Sequence, residues 1–136
     1  MKLKYNNICV RNAEPADCEQ LAAWWNDGRV MAHAGFPNGI GTTADEVRKK
    51  IAGDSDETTR RMVIECDGRL IGETNFSVYE GDKYEIGIKI CETDCQEKGI
   101  GRLVLSMIIE ELFGRGAKLI SLDTNLKNTR AQHVYE

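Results

Sequence analysis

The sequence predicts an α+β fold built on a mixed sheet, and three observations carry that prediction. Residues 61–90 hold three β-patterned runs separated by tight-turn signals, the pattern of an antiparallel meander. The last run, Ile86-Gly87-Ile88-Lys89-Ile90, leads through a glycine-bearing turn into Leu103 to Phe113, where apolar residues recur at helical spacing. Another strand-like run, Lys118 to Thr124, follows that helix. A helical crossover returns the chain parallel to the strand it left. An antiparallel meander and one parallel pair therefore share a sheet flanked by helices.

Each element has a local reason. Ile8 to Arg11 alternates enough for a first strand, while the start Met1-Lys2-Leu3-Lys4-Tyr5-Asn6 is too polar for a signal peptide. Glu14-Pro15-Ala16-Asp17 reads as a helix start, with proline near the first turn and acids favouring the N-terminal dipole. That helix runs through Leu21 and Trp24-Trp25 and stops around Asn26-Asp27-Gly28. Adjacent helical residues point about 100° apart. One tryptophan is therefore expected in the core and the other at its boundary, or lining a cleft beside Asn26, Asp27 and His33. Residues 28–42 are glycine-rich and irregular, a loop long enough to be either mobile or functional. Thr43 or Asp45 caps a second helix ending near Gly53, with Val47 and Ile51 as its apolar stripe.

The meander follows. Arg61 to Cys66 turns at Asp67-Gly68 into Arg69 to Phe76, and Glu80-Gly81-Asp82 turns into Tyr84 to Ile90. Gly72 and Gly87 interrupt strand patterns, where glycine marks a bulge or a close backbone approach. The crossover helix carries Val104, Met107, Ile108 and Leu112 along one face. Asn128-Thr129-Arg130-Ala131 caps a last helix that reaches Tyr135-Glu136.

Composition bounds the function classes. A chain of 136 residues suits one domain, residues 1–136, with a core that needs no staples. Its formal charge of −4 argues against a nucleic-acid groove or an anionic membrane surface. No run reaches membrane-spanning length. Five irregularly spaced cysteines do not form a disulfide framework, which fits a reduced, cytoplasmic protein. Cys91 and Cys95 are a close pair without a second pair, so no metal site is expected.

The chemistry centres on Gln96-Glu97-Lys98-Gly99-Ile100-Gly101-Arg102. The first amides of a helix lack internal partners, and the macrodipole puts partial positive charge there. With glycines at 99 and 101 and cations at 98 and 102, such a turn can hold a pyrophosphate. It can equally serve tight strand-to-helix packing. The meander before it disfavours a dinucleotide-binding Rossmann unit, and no lysine follows the second glycine as in a phosphate-loop NTPase.

Two motifs in this order resemble the GNAT superfamily of acyl-CoA N-acetyltransferases. Gln96-x-x-Gly99-x-Gly101 after a Glu-Ile-Gly-Ile strand is similar to the family's pyrophosphate loop, and Asn128-x-Arg130-Ala131-x-x-x-Tyr135-Glu136 to its last helix motif. The resemblance spans almost the whole chain, and Trp24-Trp25-Asn26-Asp27 is similar to the branch acting on ribosomal-protein N-termini, amino sugars and other small amines. It implies acetyl-CoA as cosubstrate and an amine as acceptor. It implies that Gln96 and the amides of Lys98, Gly99, Ile100, Gly101 and Arg102 bind the coenzyme. Backbone groups of Ile88, Lys89 and Ile90 would hold the pantetheine arm where two parallel strands splay, with Asn128 near the arm. Tyr135 would protonate the leaving thiolate. Glu85 and Glu73 are the base candidates, though each reads somewhat more readily as a solvated strand carboxylate; His33 is a lesser candidate, and His133 is expected to face solvent. An acyl-CoA-binding module without catalysis is the alternative.

Family members continue past the Tyr-Glu pair into two further strands that this sequence does not include. The fold expected is thus a GNAT-like sheet lacking its last strands. The exposed edge that results invites a homodimer or a strand swap.

Overall fold

The computed structural model describes residues 1–31, 36, 38–96 and 98–122, with Thr93 described by its backbone alone. The chain divides into two compact units. In their described parts, one is a sheet unit of residues 1–12 and 55–122, and the other a helical unit within 13–54.

The sheet unit has six strands in sequence order: β1 (Lys2–Tyr5), β2 (Ile8–Asn12), β3 (Thr59–Cys66), β4 (Arg69–Tyr79), β5 (Lys83–Ile90) and β6 (Leu119–Leu122). Every neighbouring pair is antiparallel except β5 and β6, which run parallel. The mixed sheet expected from the meander and crossover is therefore present. β1 is an addition to the sequence reading. It pairs with β2 across Asn6-Asn7, where Asn6 takes a φ of 53° that asparagine tolerates better than most residues. The Asp67-Gly68 turn is as expected, both residues at positive φ (53° and 81°) with Cys66 opposite Arg69.

Register divides the sheet into two unlike faces. Ile8, Val10, Met62, Ile64, Phe76 and Ile86 share one face and are buried. The other carries Arg11, Glu65, Glu73, Asn75, Ser77, Glu85 and Lys89. Gly72 marks the bulge its position foretold: Ile64 faces Gly72 and Glu65 faces Leu70, so Ile71 has no opposite number on β3. A Cβ at Gly72 would stand 2.3 Å from the Lys89 carbonyl oxygen, so β4 and β5 approach too closely there for any other residue.

The crossover helix, labelled α4, spans Ile100–Gly114 and lies against β5. Its buried stripe is Val104, Leu105, Ile108 and Leu112, while Met107 is only half-buried. Met107 lies roughly 100° around the helix from the centre of that stripe, and Leu105 takes its place.

In the helical unit, a 3-10 turn (Pro15–Asp17) precedes α1 (Cys18–Asn26), and α2 (Gly28–Met31) and α3 (Ala44–Ala52) follow. The first helix thus starts as a 3-10 turn, and the Glu14 N–H donates to Asp17 Oδ2 at 2.7 Å. Both tryptophans are buried, Trp24 at 4% exposure and Trp25 at 9%, which corrects the expected split between core and boundary. Lys50 Nζ lies 5.6 Å from the Trp25 ring centroid, covering the second indole. Thr43 caps α3, its Oγ1 accepting from the Glu46 N–H at 3.2 Å. The segment ahead of that cap is tied down: Asn26 bonds both backbone groups of Thr42, Oδ1 accepting at 2.7 Å and Nδ2 donating at 2.8 Å. The Ile40 N–H reaches the Trp25 carbonyl at 2.9 Å.

Candidate active site

The turn between β5 and α4 has the geometry its sequence promised. Gly99 sits at the helix N-cap with φ +78°, and a substituent there would meet nothing within 4 Å. Glycine is present for its left-handed backbone. The first intrahelical bond runs from the Leu103 N–H to the Gly99 carbonyl at 3.1 Å. The amides of Ile100, Gly101 and Arg102 therefore precede the helical ladder and point out of its N-terminus. Lys98 and Arg102 are exposed beside them. Gly101 plays a different part: it lies on the stripe facing β5, where a Cβ would come 4.0 Å from Ile90 Cγ1. Gly99 thus supplies the left-handed residue of the turn, and Gly101 lies on the helix face toward the strand. The Gln96 Nε2 donates to the Ile90 carbonyl at 2.9 Å and fastens the turn to the end of β5.

Ile88, Lys89 and Ile90 form the last part of β5, opposite Thr74, Glu73 and Gly72 of β4. The parallel pairing with β6 spans Lys83–Ile86 against Leu119–Leu122. The arm-binding candidates therefore lie beyond the described part of that ladder. Thr74, almost wholly buried, donates its hydroxyl to the Gly87 carbonyl at 2.7 Å and secures the strand just before them.

The two base candidates share the polar face. Glu85 is exposed and stands opposite Ser77 and Ser121, whereas Glu73 is half-buried opposite Val63 and Lys89. Between them lies Asn75, opposite Gly87, where a Cβ would be 3.2 Å from its Nδ2. Asparagine is depleted in strands. The Asn75 amide nevertheless occupies mid-β4 and takes no hydrogen bond from a described residue, and the pairing of Asn75 with a strand glycine was a signal available in the sequence. Tyr135, Asn128, His33 and His133 lie outside the described residues.

Asp27, placed beside a cleft by the sequence reading, is engaged: the Arg29 guanidinium holds its carboxyl below the usual carboxylate range, with Nη2 at 3.0 Å from Oδ2. Burial, with the Glu73 carboxylate adding to it, pushes the Cys91 thiol up, so Cys91 is no nucleophile near neutral pH. Among the described residues, no group of three His, Cys, Asp or Glu side chains is placed to hold a metal ion, and no helix is long and apolar enough to cross a membrane.

The profile of the acetyltransferase (GNAT) domain matches residues 7–136. The chain belongs to the GNAT family. Solved structures agree on the fold. RimL, a ribosomal alpha-N-protein acetyltransferase in complex with coenzyme A, is similar at a TM-score of 0.81 and 16% identity, over 98% of this chain and 80% of that one. An aminoglycoside acetyltransferase in complex with coenzyme A gives 0.78 and 17%, over 94% and 80%. The spermidine N-acetyltransferase of Vibrio cholerae, in complex with coenzyme A and spermine, gives 0.77 and 22%, over 96% and 79%. No curated protein sequence matches the chain. At these identities the likeness shows the GNAT fold, and the acceptor is argued from this chain's own residues.

Proposed function

We propose that this GNAT domain transfers an acetyl group from acetyl-CoA to a primary amine by direct attack on the thioester. One observation carries the reading: β5 leads to a left-handed Gly99 that caps a long helix, whose first amides precede its hydrogen-bond ladder and are flanked by the exposed Lys98 and Arg102. That arrangement fits a pyrophosphate. The relatives named above carry coenzyme A, which supports the same assignment. Gln96 and residues 98–102 bind the coenzyme in this reading, with backbone groups of Ile88, Lys89 and Ile90 along its arm and Asn128 beside it.

The chemistry needs few groups. The amine gives up a proton to Glu85, or to Glu73, directly or through water. Its lone pair attacks the acetyl carbonyl, whose oxygen is polarised by a backbone N–H near Ile88. The carbon–sulfur bond then breaks, and Tyr135 delivers a proton to the departing thiolate. Positioning the two substrates supplies most of the acceleration. Glu85, Ser77 and Asn75 form the acceptor side, and an exposed carboxylate there favours an acceptor that arrives as a cation.

Calorimetric titration with acetyl-CoA tests the coenzyme half. Saturable binding that is lost in a Lys98→Glu, Arg102→Glu double variant supports it. Both side chains are exposed, so the charge reversal leaves the core intact. Gly101→Glu is a poorer control, because that position faces Ile90. Tyr135→Phe tests the other half: turnover falls by about 10²-fold or more while coenzyme affinity holds. Saturable binding with no transfer to spermidine, an aminoglycoside or a peptide N-terminus would make the chain an acyl-CoA-binding module instead.

A further inference from the structure

Between Ile90 and Ile100 the described residues hold no regular structure apart from a 3-10 turn at Thr93–Cys95, ahead of the proposed coenzyme cradle. Among the described residues this lead-in is held by the buried side chains of Cys91 and Cys95 and by hydrogen bonds, of which those from β4 come from its start. The Cys91 and Glu92 N–H groups both donate to the Ile71 carbonyl, at 2.8 and 3.1 Å. Ile71 is the extra residue of the β4 bulge. With no partner opposite on β3, it spends its carbonyl on the strand leaving β5. Arg69 supplies the second anchor. Its Nη2 donates to both oxygens of Asp94, at 3.1 and 3.0 Å, and lies 3.0 Å from Cys95 Sγ. Within the segment, the Cys95 N–H bonds the Glu92 carbonyl at 3.0 Å, and Gln96 bonds Ile90.

We propose that Arg69 is a positioning residue for coenzyme binding: by clamping Asp94 and Cys95 it fixes the approach to Gly99 and so aims the first amides of α4. The inference rests on the reading of that turn as the coenzyme cradle. Arg69 itself need not touch the coenzyme. Without the clamp, the lead-in keeps its tether to Ile71 but must be ordered again when ligand binds, and each residue so fixed costs conformational entropy.

The clamp's exposure makes this role separable from folding. The Arg69 and Asp94 side chains are 55% and 65% exposed. Pairs so exposed contribute little to stability, so an Arg69 variant keeps its fold. The clamp also gives a role to the acid Asp94, two residues before Gln96.

The test compares wild type, Arg69→Gln, and the swap Arg69→Asp with Asp94→Arg. Calorimetry with acetyl-CoA and a thermal melt are run on each. Arg69→Gln should weaken coenzyme binding by about three- to fivefold, the most that a clamp worth about 1 kcal/mol can supply. Its melting temperature should move by no more than about 2 °C. The swap should restore most of the affinity. Amide exchange at residues 91–96 should speed up in Arg69→Gln and slow again in the swap. In turnover, KM for acetyl-CoA should rise while kcat and KM for the amine stay put. Equal affinity and equal exchange in wild type and Arg69→Gln would overturn the proposal. So would weakened binding that the swap fails to restore, because Arg69 would then act on the coenzyme directly. A wild-type chain that binds no acetyl-CoA would bring down the coenzyme reading itself, and this assignment with it.

Discussion

The two faces of the sheet unit obey different rules. One is a continuous apolar surface from Ile8 and Val10 through Met62, Ile64 and Phe76 to Ile86, all buried. The other, one residue out of phase on the same strands, carries Glu65, Glu73, Asn75, Ser77, Glu85 and Lys89. Because side chains alternate, each strand contributes to both. The second face is not wholly polar: Val63, opposite Arg11 and Glu73, is fully buried on it.

Substitutions on the two faces should separate stability from turnover. Phe76→Ala strikes the buried face and removes its ring contact with Tyr84, 5.8 Å between centroids. Chemical denaturation should show a loss of about 3–5 kcal/mol. Gly72→Ala comes next, since its methyl would meet the Lys89 carbonyl at 2.3 Å and force β5 aside. A loss of about 1–3 kcal/mol is expected, together with weaker acetyl-CoA binding, because the displaced residues are Lys89 and Ile90. Thr74→Val deletes the buried bond to the Gly87 carbonyl at a cost of about 1–2 kcal/mol by the same measurement.

Smaller still is a pH effect. Asp56 receives the Arg60 Nε at 2.8 Å and the Arg115 Nη1 at 3.2 Å, joining the approach to β3 with the end of α4. The Arg60 hydrogen bond, with Arg115 second, holds its carboxyl below the usual range. The unfolded chain therefore takes up this proton at a higher pH than the folded one. The stabilisation is complete above the unfolded value, about 3.9, and is lost as pH falls through the lower folded value. Melting temperature should drop less steeply across that range in Asp56→Asn than in wild type; parallel curves would refute the linkage. At the bottom of the stability scale stands Glu85→Gln, expected within about 0.5 kcal/mol of wild type. Its turnover should nevertheless fall by about 10²-fold if Glu85 is the base. An undiminished rate would move that role to Glu73.

Much of this architecture was legible in the residues because its causes are local. Asp67-Gly68 specifies a tight hairpin wherever it sits between strands, and Thr43 caps α3 through a backbone group three residues away. The strand, the left-handed glycine and the helix of the proposed coenzyme cradle are likewise contiguous, so their order was legible in the sequence. Tertiary structure decided what depends on register and on partners distant in sequence. It buried both tryptophans, replaced Met107 with Leu105 on the helix stripe, and set Gly101 toward Ile90 and Gly99 at the left-handed helix cap. It also brought Arg69 onto Asp94 and Cys95. The physical reason is reach. A capping or turn preference acts over a few bonds and is written into neighbouring residues. A guanidinium finds a carboxylate 25 positions on only after two strands and a bulge have set the distance between them.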